Sequence, residues 1–163
     1  MIRLRPFTDS DEEKILSWCR DEETYFRWTA GKLGPWPLTP EQFRQTAELM
    51  RFTALDDTQA CGFFTARNPK DTPDELRFGF VIVDPAKRGK GIGKEMLRLG
   101  LRYAFDVYRA ERVTLGVFEE NDPARYCYRA AGFSETGVRE SYILHGAERT
   151  ALEMEVLCPP RTV

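Results

Sequence analysis

Histidine is almost absent from this chain: among 163 residues there is one, His145. The four cysteines, Cys19, Cys61, Cys127 and Cys158, form no Cys-x-x-Cys pair. These shortages argue against a zinc site, and against a cysteine nucleophile, which needs a base beside it. One-sided charge is missing too. The 24 basic and 26 acidic residues leave a net −2, so no overall basic field points to nucleic acid. No apolar run approaches the roughly 20 residues of a membrane-spanning helix, and the opening Met-Ile-Arg-Leu-Arg is no signal peptide. Repeats, low-complexity stretches and long linkers are also lacking. The expectation is a cytoplasmic protein with reduced cysteines, no metal, no nucleic acid and no membrane partner.

What is present is the composition of one soluble globular domain, 42% hydrophobic and 31% charged. Hydrophobic periodicity predicts a strand at Ile2–Arg5, a helix over Asp11–Trp18 and a helical turn at Thr24–Trp28. Gly31 to Leu38 holds two glycines and two prolines, so it reads as a loop. Thr39-Pro40 with Gln42 is a capping-box start for a helix running to about Met50. Strands follow at 51–55, 61–67 and 76–83, then a helix at 94–108, a strand at 112–118 and a helix at 122–131 closed by Gly132. A last hairpin, 134–144 with 148–157, turns through His145-Gly146 at an exposed tip. Pro159-Pro160 begins a short tail. The order predicts an α/β fold in a single domain, residues 1–158 with a tail at 159–163.

The stretch Val81 to Lys94 concentrates the chemistry. It is an apolar strand, a proline stop, a basic glycine-rich turn and a helix start. Gly89, Gly91 and Gly93 let backbone amides approach a ligand, and a helix N-terminus offers unpaired N–H groups and positive dipole. Lys87, Arg88, Lys90 and Lys94 add charge. A phosphorylated ligand is the natural occupant. The Walker A spacing is not met, and the glycines run Gly-x-Gly-x-Gly rather than Gly-x-Gly-x-x-Gly.

What remains, Arg88-x-x-Gly91-x-Gly93 after a strand end, resembles the pyrophosphate loop of the GNAT superfamily of acyl-CoA N-acyltransferases. A second block, Asn121-x-x-Ala124-x-x-x-Tyr128-x-x-x-Gly132-Phe133, resembles that superfamily's next motif, one strand further on. The motifs cover about Leu76 to Phe133. The layout resembles the branch that includes ribosomal-protein N-terminal acetyltransferases and some aminoglycoside acetyltransferases. The resemblance implies a mixed central sheet of about seven strands, splayed at a cofactor cleft and flanked by about four helices. It implies acetyl-CoA as co-substrate, no metal, and direct attack by a primary amine in a ternary complex. The acceptor would be a small-molecule amine or a protein N-terminus, and the chain a monomer or homodimer.

Carried over residue by residue, the resemblance implies that Val81, Ile82 and Val83 run beside the pantetheine. Arg88, Gly89, Lys90, Gly91, Ile92, Gly93 and Lys94 would cradle the pyrophosphate, and Asn121 would hydrogen-bond the pantetheine arm. Tyr128 would sit by the thioester sulfur as proton donor, and the amide of Val83 or Asp84 would meet the oxyanion. The lysine that many members carry two residues after the tyrosine is Ala130 here, with Arg129 adjacent. Glu75, thirteen residues before Arg88, is the candidate base, with Glu119 and Glu120 as rivals. Its bland reading is a strand-end acid or a partner for Arg77. Trp36 and Trp28 are candidates to line the acceptor site, though aromatics more often fill core. Two other classes stay open: a non-catalytic acyl-CoA-binding module, and a phosphate-binding interaction protein in which the Asn121–Phe133 block has no role.

Overall fold

The computed structural model describes residues 1–144 and 146–161. The chain runs β1 (Ile2–Pro6), α1 (Glu12–Leu16), α2 (Glu22–Thr29), α3 (Pro40–Phe43), β2 (Met50–Asp56), β3 (Gln59–Arg67), β4 (Glu75–Val83), α4 (Ile92–Arg102), β5 (Arg112–Phe118), α5 (Asp122–Ala131), β6 (Ser134–Leu144) and β7 (Ala147–Leu157). The strands form one sheet in the order β1-β2-β3-β4-β5-β7-β6. Every neighbouring pair is antiparallel except β4 and β5, which are parallel. The expected seven-stranded mixed sheet is therefore present, with five α-helices among the described residues rather than about four. His145, Thr162 and Val163 lie outside the described residues, and with them the expected hairpin tip and the end of the tail.

Side-chain alternation along the strands builds a core on each face. One face carries α4 and α5, with Phe64, Leu76, Phe78, Met96, Leu97 and Leu115 at its centre. The other carries α1 to α3, with Ile15, Tyr25, Trp28, Phe43 and Phe63. Adjacent Phe63 and Phe64 of β3 thus point into different cores. In β4 the alternation breaks. Leu76 and Phe78 face α4, but beyond the break it is Ile82 that joins the opposite core. The cause is a bulge: between Phe63↔Ile82 and Thr65↔Gly79, β4 spends one residue more than β3. Phe80 sits there at φ 48°, left-handed backbone that costs a non-glycine residue strain.

Of the boundaries that differ from the periodicity reading, two bear on the site. The helix capped by Thr39 ends at Phe43 instead of Met50, where a 3-10 segment over Arg44–Glu48 takes over. Buried Thr46 donates its hydroxyl to the Phe43 carbonyl at 2.7 Å and holds that tighter winding. α4 begins at Ile92, two residues earlier than the apolar stripe suggested, because Gly91 takes the N-cap at φ 77°. It ends in a π-helical turn over Tyr103–Val107.

Candidate active site

β4 and β5 pair over three positions only, Glu75↔Arg112, Leu76↔Val113 and Arg77↔Thr114. Past Arg77 and Thr114 the two strands part. β4 then has β3 on one side and no strand on the other. Glycines mark the divergence on both strands, Gly79 and Gly116, and a Cβ at Gly116 would stand 3.3 Å from Arg77 Nη2.

On the α4 side, the turn after β4 is ordered from within. Asp84 Oδ1 accepts from the Ala86 amide at 3.0 Å, and the Asp84 amide donates to the Cys61 carbonyl at 2.9 Å. Asp84 is thus unavailable as an oxyanion donor. Since successive amides of a strand face opposite ways, the Val83 amide turns to the open side of β4. Gly89 and Gly91 have φ 79° and 77°, and a Cβ on either would meet nothing within 4 Å. No side chain caps α4, so its first-turn amides face outward from an exposed, basic loop. Gly93 lets α4 close onto α5: a Cβ there would stand 2.8 Å from Cys127 Sγ. Burial at that contact pushes the Cys127 thiol up, which makes it a poor nucleophile.

α5 brings the second block to the same place. Asn121 is its N-cap, Oδ1 accepting from the Ala124 amide at 3.4 Å, while the amide end of the side chain makes no such bond. Tyr128 is 8% exposed and packs edge-on against Phe133. Among the described residues, Trp18 Nε1 is the one fully buried side-chain polar atom without a hydrogen bond. The Tyr128 hydroxyl, equally unpartnered, therefore still meets accessible space. Burial, with the neighbouring Cys127 thiol, pushes its pKa well above the ordinary phenol value. Arg129 is committed to Glu135, which it shares with Arg125.

On the opposite face, a cavity of about 390 Å³ opens over the divergence. Its walls include Trp28, Arg77, Gly79, Phe80, Gly116 and Glu153. Trp28 is 6% exposed and donates its indole N–H to the Phe80 carbonyl at 2.8 Å, tying α2 to the bulge. It is both core and cavity wall. Trp36 is not part of that wall. It is half-buried and packs on Tyr25, ring centroids 5.6 Å apart, against the core beneath α2. The Tyr25 hydroxyl also donates to the Gly34 carbonyl at 2.9 Å, tying the proline-containing loop to α2.

Glu75 does not line the cavity either. It is 7% exposed and accepts from Arg112 Nη2 at 2.7 Å and from the Thr114 hydroxyl at 2.5 Å. Burial alone would raise its carboxyl, but Thr114 and Arg112 outweigh it and hold the pKa below the usual range. Such a carboxylate is a weak base. Thr114 Oγ1 also accepts from Arg77 Nη1 at 3.1 Å, and that nitrogen donates to Glu153 at 2.6 Å. Glu75 thus partners Arg77 through a threonine, at the closed end of the divergence. Glu119 and Glu120 are tied to Arg139 and Arg149. Thr114 and the Phe80 bulge were missed in the sequence, and Arg77 was read only as a partner for Glu75. The strand-interior glycines 79 and 116 are the signal that points to them.

Residues 2–134 match the protein-family model described as an acetyltransferase (GNAT) domain. Spermidine N(1)-acetyltransferase of Escherichia coli K12 is 32% identical over 75 residues, covering 45% of this chain and 40% of that protein. N-alpha-acetyltransferase RimI of Mycobacterium tuberculosis H37Rv is 38% identical over 77 residues, covering 47% and 46%. The chain thus spans less than half the length of these curated relatives. The crystal structure of Vibrio cholerae spermidine N-acetyltransferase, solved with CoA and spermine, superimposes with a TM-score of 0.79 at 19% identity over 96% of this chain and 95% of that one.

Proposed function

The chain belongs to the GNAT acetyltransferase family, and from that premise we propose that it is an N-acetyltransferase moving an acetyl group from acetyl-CoA to a primary amine. The observation that carries this is the parting of β4 from β5 after Arg77 and Thr114, with an uncapped helix on one face and a cavity on the other. The residues fit acetyl-CoA. Gly89 and Gly91 leave room for close approach, and the amides of residues 91–94 suit a pyrophosphate with Arg88, Lys90 and Lys94 around it. Val81 to Val83 offer an unpaired strand edge to the pantetheine, and Asn121 offers its amide N–H.

Acetyl-CoA supplies a thioester carbonyl open to a neutral amine. The Val83 amide donates to the carbonyl oxygen as charge develops there. Tyr128, held protonated by burial, donates a hydrogen bond toward the departing sulfur. That proton is available to the thiolate as it leaves. The amine arrives from the cavity side, between Trp28 and Gly116. A water takes its proton, since Glu75 is committed to Arg112 and Thr114. In this reading residues 1–158 are the catalytic domain, in the cytoplasm, a compartment that suits four unpaired cysteines.

The test is a screen of purified protein with acetyl-CoA and candidate amines, polyamines, aminoglycosides and peptide N-termini among them, read by free thiol. Amine-dependent thiol release supports the reading. CoA binding by calorimetry with no thiol release for any amine would instead make the chain an acyl-CoA-binding module.

A further inference from the structure

The cavity holds a charge arrangement that the transfer reaction does not require. Arg67 of β3 lies directly opposite Arg77 of β4 in the antiparallel register, so both point to the same face. Like charges at such a pair destabilise a sheet. Lys32, from the loop after α2, lines the same cavity with them. Lys32 as a residue is exposed, but its ammonium end is held below the usual lysine range, first by burial against the cavity wall and then by the positive charge of Arg77 and Arg67. Only one of the three has a carboxylate in contact among the described residues: Arg77, on Glu153 at 2.6 Å. Lys32 and Arg67 thus stand without a contacting carboxylate among the described residues, although Glu48 and Glu140 also line the cavity. Glu140 acts on Lys32 more weakly than either arginine and is held by the Tyr142 hydroxyl at 3.0 Å. Glu48 is the remaining cavity acid, and Arg27 is tied to Glu23.

We propose that Lys32, Arg67 and Arg77 form an anion-binding subsite, and that the acceptor is a small amine carrying a carboxylate or phosphate. Arg77 is the last residue of β4 paired with β5, so the subsite sits where the strands part, about 7 Å along β4 from Gly79. An amine and an anion a few bonds apart would span that distance. A cavity with both signs of charge suits a zwitterion. A polycation would bring further positive charge against three cations. The amine half of this proposal rests on the acetyltransferase reading, and the anion half does not.

The test uses matched amines: 4-aminobutyrate against 1,4-diaminobutane, and 2-aminoethyl phosphate against 2-aminoethanol. Each is titrated by calorimetry into the CoA-bound protein, and each is assayed for thiol release. The expected result is that at least one anionic amine binds and its uncharged or dicationic match does not. Arg67→Glu and Lys32→Gln should each weaken that binding about ten- to hundredfold, as loss of a charged hydrogen bond does. Arg67→Glu should leave the melting temperature unchanged or raise it, because it removes the like-charge pair. Preference for the diamine, or wild-type affinity for both anionic amines in both variants, overturns the proposal. Binding that Arg67→Glu weakens, without turnover of any amine, keeps the subsite and removes acetyl transfer. Turnover indifferent to both variants removes the subsite and keeps acetyl transfer. The carboxylate and phosphate arms tell the two anions apart.

Discussion

Trp28 donates its indole N–H to the carbonyl of Phe80, 2.8 Å away, at the residue where β4 bulges. The bond joins the helix that roofs the cavity to the turn of backbone that aims Val81 to Val83 along the open edge. Trp28→Phe keeps most of the ring and loses the donor. We expect a stability cost of about 1–2 kcal/mol, read as a lower melting temperature. We also expect a several-fold fall in kcat at unchanged CoA affinity. If both melting temperature and kcat stay at wild type, the bond is idle.

Gly91 caps α4 at φ 77°, and a Cβ there meets no atom within 4 Å. Substitution therefore clashes with nothing and acts through the backbone. In Gly91→Val a β-branched residue resists the left-handed conformation, so the loop that presents the α4 amides must rearrange. CoA binding should weaken by about tenfold or more, with the fold intact. Calorimetry with CoA, alongside circular dichroism, makes the comparison. Wild-type affinity in a folded variant contradicts the cradle.

The sequence carried the frame of this site and hid its centre. Gly-x-Gly-x-Gly before an apolar stripe, and Asn121 to Gly132 with its N-cap and left-handed C-cap, are local signals, and the helices begin and end on them. The hairpin strands were legible because alternation is local too. The Phe80 bulge was not, since one extra residue in β4 shows only against β3. The two readings of Glu75, base or partner of Arg77, stayed undivided for the same reason: its partners Arg112 and Thr114 are 37 and 39 residues away. Trp36, read as a candidate to line the acceptor site, is half-buried and packs on Tyr25. Whether an aromatic lines a cavity or fills a core depends on what lies behind it, and no local pattern states that.

The Tyr128 ring is buried in the core, while its hydroxyl has no hydrogen-bond partner among the described residues and still meets accessible space. Tyr128→Phe removes one oxygen and almost no volume, so packing against Phe133 should survive. We expect kcat to fall at least about tenfold, with CoA affinity and melting temperature near wild type. Turnover at the wild-type rate would remove Tyr128 from the chemistry.

Glu75→Gln separates a base from a positioning residue. A catalytic base would leave the fold alone and erase the acidic limb of the pH–rate profile. The contacts predict the reverse. Glutamine loses the charge-assisted bond to Arg112 and disturbs Thr114, which also holds Arg77. The melting temperature should drop by several degrees, a cost of about 1–3 kcal/mol, while the acidic limb keeps its midpoint. A lost limb with an unchanged melting temperature would restore Glu75 as the base.

Asp11 supplies the clearest pH dependence. It is 5% exposed and accepts from Arg5 at 2.7 and 2.8 Å, from the Thr8 amide at 3.0 Å and from the Thr53 hydroxyl at 2.8 Å. Burial works against its charge, but Arg5, Thr8 and Thr53 together outweigh burial and hold the pKa down from 3.8 to about 2. The folded value lies below the unfolded one, so the contribution is fully present above about pH 4 and vanishes as pH falls through about 2. Because Arg5 is partly exposed, the interaction is worth roughly 1–2 kcal/mol rather than the full shift. Wild-type protein should therefore lose melting temperature between pH 5 and pH 2.5. Asp11→Asn should start lower at pH 7 and lose less over the same interval, its curve approaching the wild type at the acid end. Parallel curves for the two proteins would mean that other carboxylates govern acid stability and that the bonds to Asp11 contribute nothing net.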